Sequence, residues 1–344
     1  MIRLRRKTTT KSRNEPRIPD GVAPHSQAFL ISERAVARGI EVTLLPDRRL
    51  QLRHDGQTHR FRSGWSTLNH PLARRCTAQK EVTSRLLREK GLPALENVVF
   101  KADDLARAWA WAERTLPVVV KPNAANKGKM VHVGVGSYDD FAKSFRLVAA
   151  EYGQVLIEEF AEGGDEHRFS VVDGSVIAVT KRVPPHVIGD GASDLSTLLE
   201  LKNKQREQRN NPLHRRPITL DDAVLGTIRS QGLVLESVPA GGETVWLRRT
   251  SNISIGGEAV DRTDNVAASH VEMIEKAARA IPGLRLAGFD VLLTEASGEP
   301  RIIEVNPNPM LSMHVFPWNG RAREVYEPVL NAMFPATSTP RRDG

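Results

Sequence analysis

The chain has 344 residues, of which 40% are apolar and 26% charged, and its formal net charge is +8. This composition is typical of a globular protein with two or three subdomains and excludes the disordered and fibrous classes. No apolar run reaches the roughly 18 residues of a membrane span and no apolar leader opens the chain, so we predict a cytoplasmic protein without a membrane partner.

The cysteine count and the basic ends of the chain indicate its compartment and its partners. The one cysteine, Cys76, fits a reducing compartment because it has no internal disulfide partner. Basic residues crowd "MIRLRRKTTTKSR" and "RRDG", so we predict disordered tails over 1–18 and 336–344. No aromatic and basic platform accompanies them, and no nucleic-acid partner is predicted.

The first predicted unit, 19–76, is a small α/β subdomain. It contains a helix-like segment, "SQAFLISERAVARG", and a strand-like segment, "IEVTLLP". Two further strand-like runs, "LQLRHDG" and "THRFRSG", are joined by Asp55 and Gly56. An Asp-Gly pair between alternating runs predicts a hairpin.

The second unit, 77–160, alternates helices and strands. We predict a helix in "TAQKEVTSRLLREKGLP", with Thr77 as its N-cap, and another in "DDLARAWAWAERT". The run "PVVVKP" is a buried strand that ends in Lys121, and a loop, "NAANKGKMVHVGVGS", follows. Ser137 then caps a long helix that precedes the strand "QVLIEEF".

The third unit, 161–335, begins with a hairpin that turns at Asp173 and Gly174. A polar segment, "LKNKQREQRNNPLHRRP", is predicted to cover the surface as a helix and then a loop. Apolar residues at helical spacing predict a further helix in 264–283. The final strands are "GFDVLLT" and "RIIEVN".

Polar residues interrupt these two final strands. If Thr294 lies opposite Pro300, alternation places Phe289, Val291, Leu293, Ile303 and Val305 on the core face, and Asp290 directly opposite Glu304, with Asn306 further along. Facing carboxylates repel, so this register predicts a cation between them. Carboxylate and amide oxygens favour Mg²⁺, or Mn²⁺ in its place, completed by nucleotide phosphates. The alternative is an exposed, solvated face.

A phosphate-binding segment is also predicted after the buried strand. Lys121 precedes a small-residue loop that contains Lys127 and Gly128, whose backbone amides could cradle phosphate oxygens. Neither a Walker loop nor a dinucleotide-binding glycine motif occurs. Lysines beside a glycine are also common on plain surfaces, so this loop alone leaves both readings open.

In this order, the segments resemble an ATP-grasp enzyme, specifically the ATP-grasp portion of cyanophycin synthetases and of bifunctional glutathione synthetases. The resemblance covers about 31–335. It rests on "QKEVTSRLLREKGLP", "VVVKP", "VLIEEFAEGGDEHRFSVVDGSVIAVTKRVPPHVIGDG", "RRTSNISIGGEAVDRTD" and "GFDVLL" with "RIIEVNPNPMLSMHVFPWNGRAREV". It implies an α/β (α+β) ATP-grasp fold, in which an N-terminal α/β subdomain precedes two α+β subdomains that grip ATP between them.

The resemblance also implies residue roles. Lys80, Lys121, Lys127 and Gly128 look like phosphate contacts, and the linker Glu158, Glu159, Phe160 and Ala161 like the adenine contact. Glu166 is similar to the ribose-binding acid, and Arg168 and Arg182 to phosphate or intermediate contacts. Asp290, Glu304 and Asn306 would hold the metal. Lys121, Arg182 and Arg249 would be catalytic, and the substrates would be bound by His186, Arg248, Arg249, Ser251, Asn252, Gly256 and Gly257.

The implied activity is ATP-dependent, ADP-forming ligation of a carboxylate to an amine through an acyl phosphate, with amino acids or a short peptide as substrates. Alternatives are a small-molecule kinase on the same scaffold and a non-catalytic ATP-binding module. The oligomeric state, including a homo-oligomer, stays open. The full-length relatives carry additional ligase domains, so we do not expect this chain alone to polymerise two alternating building blocks. D-alanine ligases have an arginine where this chain has Gly288, so Arg182 or Arg249 would have to support the intermediate.

Overall fold

A computed structural model describes residues 16–124, 130–209, 211–293 and 300–335. The predicted phosphate contacts Lys127 and Gly128 and the register residue Thr294 lie outside these ranges. The chain has the mixed α/β architecture that the sequence predicts, with antiparallel sheets flanked by helices. Among the described residues, no helix combines the length and the apolar character that a membrane crossing requires.

The N-terminal unit is a four-stranded antiparallel meander with a helix packed on one face. Ser26 caps the first helix by accepting a hydrogen bond from the Phe29 amide, which satisfies one of the free amides at the helix start. Asp55 and Gly56 adopt positive φ and turn the predicted hairpin. The elements are α1 (Gln27–Ala37), β1 (Glu41–Leu44), β2 (Leu50–His54), β3 (Gln57–Arg62), β4 (Trp65–Ser66) and α2 (Pro71–Thr77).

The second unit contains a sheet with strand order β5-β8-β6-β7. Ser137 caps its long helix through the Asp140 amide, as predicted, and Gly153 ends the same helix in a left-handed conformation. Phe141, Phe145 and Val148 bury the inner face of that helix. The elements are α3 (Lys80–Arg88), β5 (Asn97–Lys101), α4 (Leu105–Ala112), β6 (Val118–Lys121), β7 (His132–Val135), α5 (Tyr138–Tyr152) and β8 (Gln154–Glu159).

The third unit is built on a five-stranded antiparallel sheet with strand order β13-β10-β9-β14-β15. A two-stranded ribbon and two helices are inserted between β10 and β13. The elements are β9 (Asp165–Val172), β10 (Ser175–Val183), β11 (His186–Ile188), α6 (Leu195–Gln208), α7 (Asp222–Ser230), β12 (Thr244–Trp246), β13 (Glu258–Asp261), α8 (Ala268–Ala280), β14 (Leu286–Leu293), β15 (Arg301–Asn306), α9 (Ser312–Val315) and α10 (Tyr326–Met333).

Two hydrophobic cores hold this large sheet in place. One lies under α8, where Ile274 and Ala278 pack against Phe169 and Phe289 of the central strands. The other joins the N-terminal meander to the C-terminal helix, since Ile31 of α1 and Leu50 of β2 share a core with Val329 of α10. The N-terminal unit therefore shares a hydrophobic core with the central sheet.

Several local predictions were wrong. Thr77 does not cap α3; it ends α2, and its hydroxyl donates to the Ala73 carbonyl, while Gln79 occupies the N-cap position. The segment after Lys121 is not all loop, because it contains the edge strand β7. The polar segment 201–217 is not confined to the surface, because Arg206 and His214 within it are completely buried.

Candidate active site

Asp290 and Glu304 face each other across the β14–β15 pair, as the sequence predicted. Gly288 pairs with Asn306 two positions along the same strands. The predicted core face needs one correction, because the register shifts after Asp290 and Val291 then pairs with Ile302. Such a bulge places two residues of one strand opposite one of the other. Consequently Ile302, and not Ile303, joins the core.

Arginines already surround the buried Asp290 carboxylate. Arg168 Nε lies 2.5 Å from Asp290 Oδ1, and Arg168 Nη2 lies 2.9 Å from Oδ2. Arg182 adds a contact of 3.2 Å to Oδ2. Burial would raise the pKa of Asp290, but the charges of Arg168 and Arg182 outweigh it and the net pKa is lowered. Protein cations therefore compensate part of the charge of the facing carboxylates, which the sequence did not predict.

Glu304 and Asn306 complete the predicted donor set. Lys80 Nζ lies 3.2 Å from Glu304 Oε1, and Asn306 Oδ1 accepts a hydrogen bond of 2.9 Å from the Asn308 amide. Within the described ranges, no three His, Cys, Asp or Glu side chains gather as a metal cluster. Two carboxylates and an amide oxygen nevertheless suit a hard cation such as Mg²⁺, which needs few protein ligands. The donor types therefore fit the ion, which would share these carboxylate oxygens with Arg168 and Lys80.

Gly288 makes room for the arginine that binds Asp290. A Cβ atom at this position would lie 2.7 Å from Arg168 Cδ and 3.1 Å from Arg168 Nε. Arg168 comes from β9, where it pairs directly with Asp290, and its side chain crosses over Gly288. A cation from the neighbouring strand thus fills the space that a side chain at 288 would otherwise occupy.

Lys121 lies in the sheet of the second unit and is buried together with Glu158. The ammonium group donates to Glu158 Oε1, and Asn97 Nδ2 donates to the other oxygen at 3.1 Å. Besides the backbone role predicted for it in the linker, Glu158 therefore has a buried carboxylate that pairs with Lys121. Glu159 ends β8, and Phe160 and Ala161 form the connection from β8 to β9.

Glu166 connects the central sheet to the segment that the sequence assigned to substrate. Its carboxylate pairs with Arg182 and accepts a hydrogen bond from the Ser251 hydroxyl. Asn252 caps the short turn that follows by accepting from the Ser254 amide. Gly256 has a φ of 113°, and a Cβ on Gly257 would lie 2.9 Å from the Asn252 carbonyl oxygen. This turn therefore requires both glycines.

The remaining predicted substrate residues have other partners. Arg248 Nη2 lies 2.5 Å from Asp221 Oδ2, which ties it to the inserted helix α7. Arg249 is exposed. His186 begins β11, and its ring lies 5.5 Å from the Trp246 ring. No contact among those described joins these three residues to Asp290, so their predicted roles stay predictions.

Sequence reasoning missed several polar residues that hold the site together. Asn97 orients Glu158, and Asn69 is buried beside the start of β14. Lys202 lies 2.5 Å from Glu258, and Arg206 donates to the Gly256 carbonyl at 2.9 Å, so α6 holds the turn at 252–257, which we call the glycine turn. The available signal was the i, i+4 spacing of Lys202 and Arg206 on one helix face.

Comparison with known proteins relates the chain to two groups of enzymes. No family model matches it. It is 33% identical over 331 residues to a cyanophycin synthetase of Crocosphaera subtropica, covering 93% of this chain and 37% of that protein. It is 32% identical over 265 residues to the glutathione biosynthesis bifunctional protein GshAB of Clostridium perfringens, covering 74% of this chain and 34% of that protein.

A solved structure extends the comparison to the fold. The crystal structure of a bifunctional glutathione synthetase from Pasteurella multocida matches with a TM-score of 0.64 and 27% identity, covering 89% of this chain and 43% of that one. The chain thus spans a little over a third of the length of the curated relatives named above.

Proposed function

The chain has the ATP-grasp fold and is homologous, along most of its length, to one part of the cyanophycin synthetases and bifunctional glutathione synthetases, and from this premise we propose that it is a carboxylate-amine ligase that converts ATP to ADP. The observation that carries the proposal is the pairing of Asp290 with Glu304, ringed by Arg168, Arg182 and Lys80. Phosphoryl transfer relies on carboxylates that hold a divalent metal ion and on cationic side chains that offset the phosphoryl charge, and this arrangement offers both kinds of group.

The proposed reaction has two steps because a carboxylate is a poor electrophile. An oxygen of the donor carboxylate attacks the γ-phosphorus of ATP, and the bond to ADP breaks, which gives an acyl phosphate. The nitrogen of the amine then attacks the acyl carbon, loses a proton, and expels inorganic phosphate. An amide, ADP and phosphate are the products.

Positioning and charge neutralisation are the work of the protein side chains in this proposal. Mg²⁺, or Mn²⁺ in its place, would be held by Asp290, Glu304 and Asn306 and would supply positive charge that offsets the charge of the phosphoryl group. Lys80 and Lys121 would contact the phosphates. Arg182 contacts both Glu166 and Asp290. From this position it would offset the negative charge of the phosphoryl group as the acyl phosphate forms.

Nucleotide binding requires the present ion pairs to rearrange. Lys80 neutralises Glu304, Lys121 neutralises Glu158, and Glu166 is held by Arg182 and Ser251. If Glu166 binds the ribose, ATP must compete with Ser251 for its carboxylate. ATP binding would then release Ser251, at the start of the glycine turn, from Glu166. This supports an order in which ATP binds before the carboxylate substrate.

Amino acids or a short peptide are the proposed substrates. The relatives are named for cyanophycin and glutathione synthesis, and both names concern amino-acid products. Cationic side chains near the glycine turn, Arg182 and Arg249, suit a substrate that carries carboxylates. The identity of the donor and of the acceptor requires a direct screen.

The test is ADP release from Mg²⁺-ATP across pairs of amino acids and dipeptides, with mass spectrometry of the products. Ligation predicts that ADP release depends on both an acid and an amine, and that the product mass equals their sum minus water. A kinase would release ADP without an amine and yield a phosphorylated product. A binding module would release none.

Glu304→Gln is the matched variant for this assay. It preserves shape but removes one of the two facing charges, so we expect turnover to fall at least about a hundredfold while the melting temperature changes little. Glu272→Gln, on the exposed face of α8, is the control and should retain full activity. Full activity in Glu304→Gln would refute the metal assignment.

A further inference from the structure

Asn69, from the N-terminal unit, is buried against the turn that follows β15. Its Nδ2 donates to the Leu286 carbonyl at 2.7 Å and to the Pro307 carbonyl at 3.1 Å. Its Oδ1 accepts from the amides of Arg285 and Leu286, both at 2.8 Å. With 1% of its surface exposed, Asn69 uses both its donor hydrogens and its acceptor oxygen on these backbone groups.

These hydrogen bonds join the entry of β14 to the residue after Asn306. The turn "NPNP" contains two prolines, which have no amide hydrogen, so Pro307 and Pro309 cannot be anchored through backbone donation. The remaining amide of the turn, on Asn308, donates to Asn306 Oδ1 at 2.9 Å. The orientation of the Asn306 side-chain oxygen therefore follows the position of the turn.

Gly64 lies against the other end of the same turn, at Asn308 and Pro309. Its φ is 86°, and an added Cβ would lie 2.8 Å from the Asn308 carbonyl carbon and closer still to the Pro309 carbonyl oxygen. Both atoms belong to backbone, so a side chain at 64 could be accommodated only if the turn moved. Two separate residues of the N-terminal unit thus converge on residues 306–309.

We propose that Asn69 and Gly64 are positioning residues for the metal site, which they act on through the turn that carries Asn306. The inference rests on the proposed function, since it assumes that Asn306 is a metal ligand. The N-terminal unit then has a catalytic consequence although none of its residues touches the nucleotide in this proposal. The entry of β14, four residues before Asp290, is held by the same Asn69 side chain that holds the turn after Asn306.

The test measures metal affinity directly, by electron paramagnetic resonance of Mn²⁺ in the presence of a non-hydrolysable ATP analogue. We expect Gly64→Ala and Asn69→Asp to weaken Mn²⁺ binding by about tenfold to a hundredfold, the range found for residues that orient metal ligands. Asn69→Asp retains the acceptor to Arg285 and Leu286 but loses the donors to Leu286 and Pro307. It therefore removes the hydrogen bond to the turn together with one of the hydrogen bonds to Leu286.

Gly56→Ala is the matched control for Gly64→Ala. Gly56 lies in the same sheet with a φ of 76°, so alanine meets a similar backbone strain there, but nothing lies within 4 Å of its Cβ position. We expect Gly56→Ala to lower the melting temperature through backbone strain alone, by less than Gly64→Ala, and to leave Mn²⁺ affinity within about twofold of the parent chain. Circular dichroism confirms that each variant is folded at the assay temperature.

The outcomes separate the inference from the proposed function. If the parent chain binds no Mn²⁺ with the nucleotide analogue, the proposed function fails and the inference falls with it. If the parent chain binds and Gly64→Ala and Asn69→Asp bind equally well, the inference alone is wrong. An equal loss of affinity in Gly56→Ala also overturns it, because the effect would then come from general destabilisation.

Discussion

At the scale of single residues, the sequence predicted the facing carboxylates but not what surrounds them. Asp290 and Glu304 could be paired because a short connection and strand alternation set their register. Arg168 could not be assigned as the partner of Asp290, because that contact depends on β9 lying beside β14, and strand order is not written in local sequence. The role of Gly288 could not be predicted from the sequence, because it depends on the Arg168 side chain that packs over it.

Gly288→Ala should disable the site without unfolding the protein. The new methyl group would push the Arg168 side chain away from Asp290, so we expect kcat for ligation to fall about tenfold or more. The relevant measurements are kcat and KM for ATP, with thermal melting. Gly226→Ala, in α7 with open space around the new methyl group, is the control and should be neutral or slightly stabilising. Unchanged kcat in Gly288→Ala would contradict this account of Arg168.

His314 should make the protein less stable in mild acid. Burial, with the nearby Arg168 adding to it, lowers the pKa of His314 to about 3 in the folded protein, where its ring nitrogens meet Ser170 and Thr180. An unfolded histidine titrates near 6.5, so between about pH 3 and 6.5 the unfolded state binds more protons. The free energy of unfolding should therefore fall as pH decreases through this window, by up to about 1.4 kcal/mol per pH unit.

His314→Gln removes this contribution. We expect a shallower pH dependence of the free energy of unfolding in urea titrations between about pH 4.5 and 7.5. His214, whose pKa burial lowers to about 4, acts in the same direction and keeps a residual slope. Equal slopes in the parent chain and His314→Gln would show that His314 is not neutral when folded.

At the scale of elements, periodicity located most helices and strands, but their tertiary context was hidden. The caps Ser26 and Ser137 and the turns at 55–56 and 173–174 were predictable because their chemistry is local. The strand β7 was missed because its glycines suggested a loop, although Val131, Val133 and Val135 alternate with histidine and glycine at a sheet edge. The burial of the C-terminal part of α6 was missed because its buried residue, Arg206, is charged, whereas leucines bury the first part of the helix.

Arg206 should anchor α6 to the glycine turn. The guanidinium donates to the carbonyls of Arg216 and Gly256 at 2.8 and 2.9 Å and faces the Trp318 ring at 5.6 Å. Arg206→Ala leaves those buried carbonyls unpaired, so we expect a loss of about 3 kcal/mol in the free energy of unfolding. Lys204→Ala, exposed on the same helix, should cost less than about 0.5 kcal/mol. Similar costs in the two variants, measured by urea unfolding, would contradict the anchoring role.

At the scale of the whole molecule, the order of the segments along the chain was more informative than any one of them. Lysine-led helix, lysine-ended strand, linker, hairpin and carboxylate strands together predicted the ATP-grasp fold, which the structural comparison confirms. The order of the segments did not identify the substrate, because it carries no information about contacts between units. The packing of the N-terminal unit against the turn at 306–309 could not be predicted either, because it joins residues more than 200 positions apart.

The most direct test of ligation follows oxygen. The acid and amine pair that releases most ADP would be offered to the enzyme with ¹⁸O in the carboxylate of the acid, and the released phosphate analysed by mass spectrometry. An acyl phosphate predicts one ¹⁸O atom in each phosphate, because the attacking oxygen leaves with phosphorus. Unlabelled phosphate, or label retained in a phosphorylated acid with no amide formed, would contradict the proposed ligase.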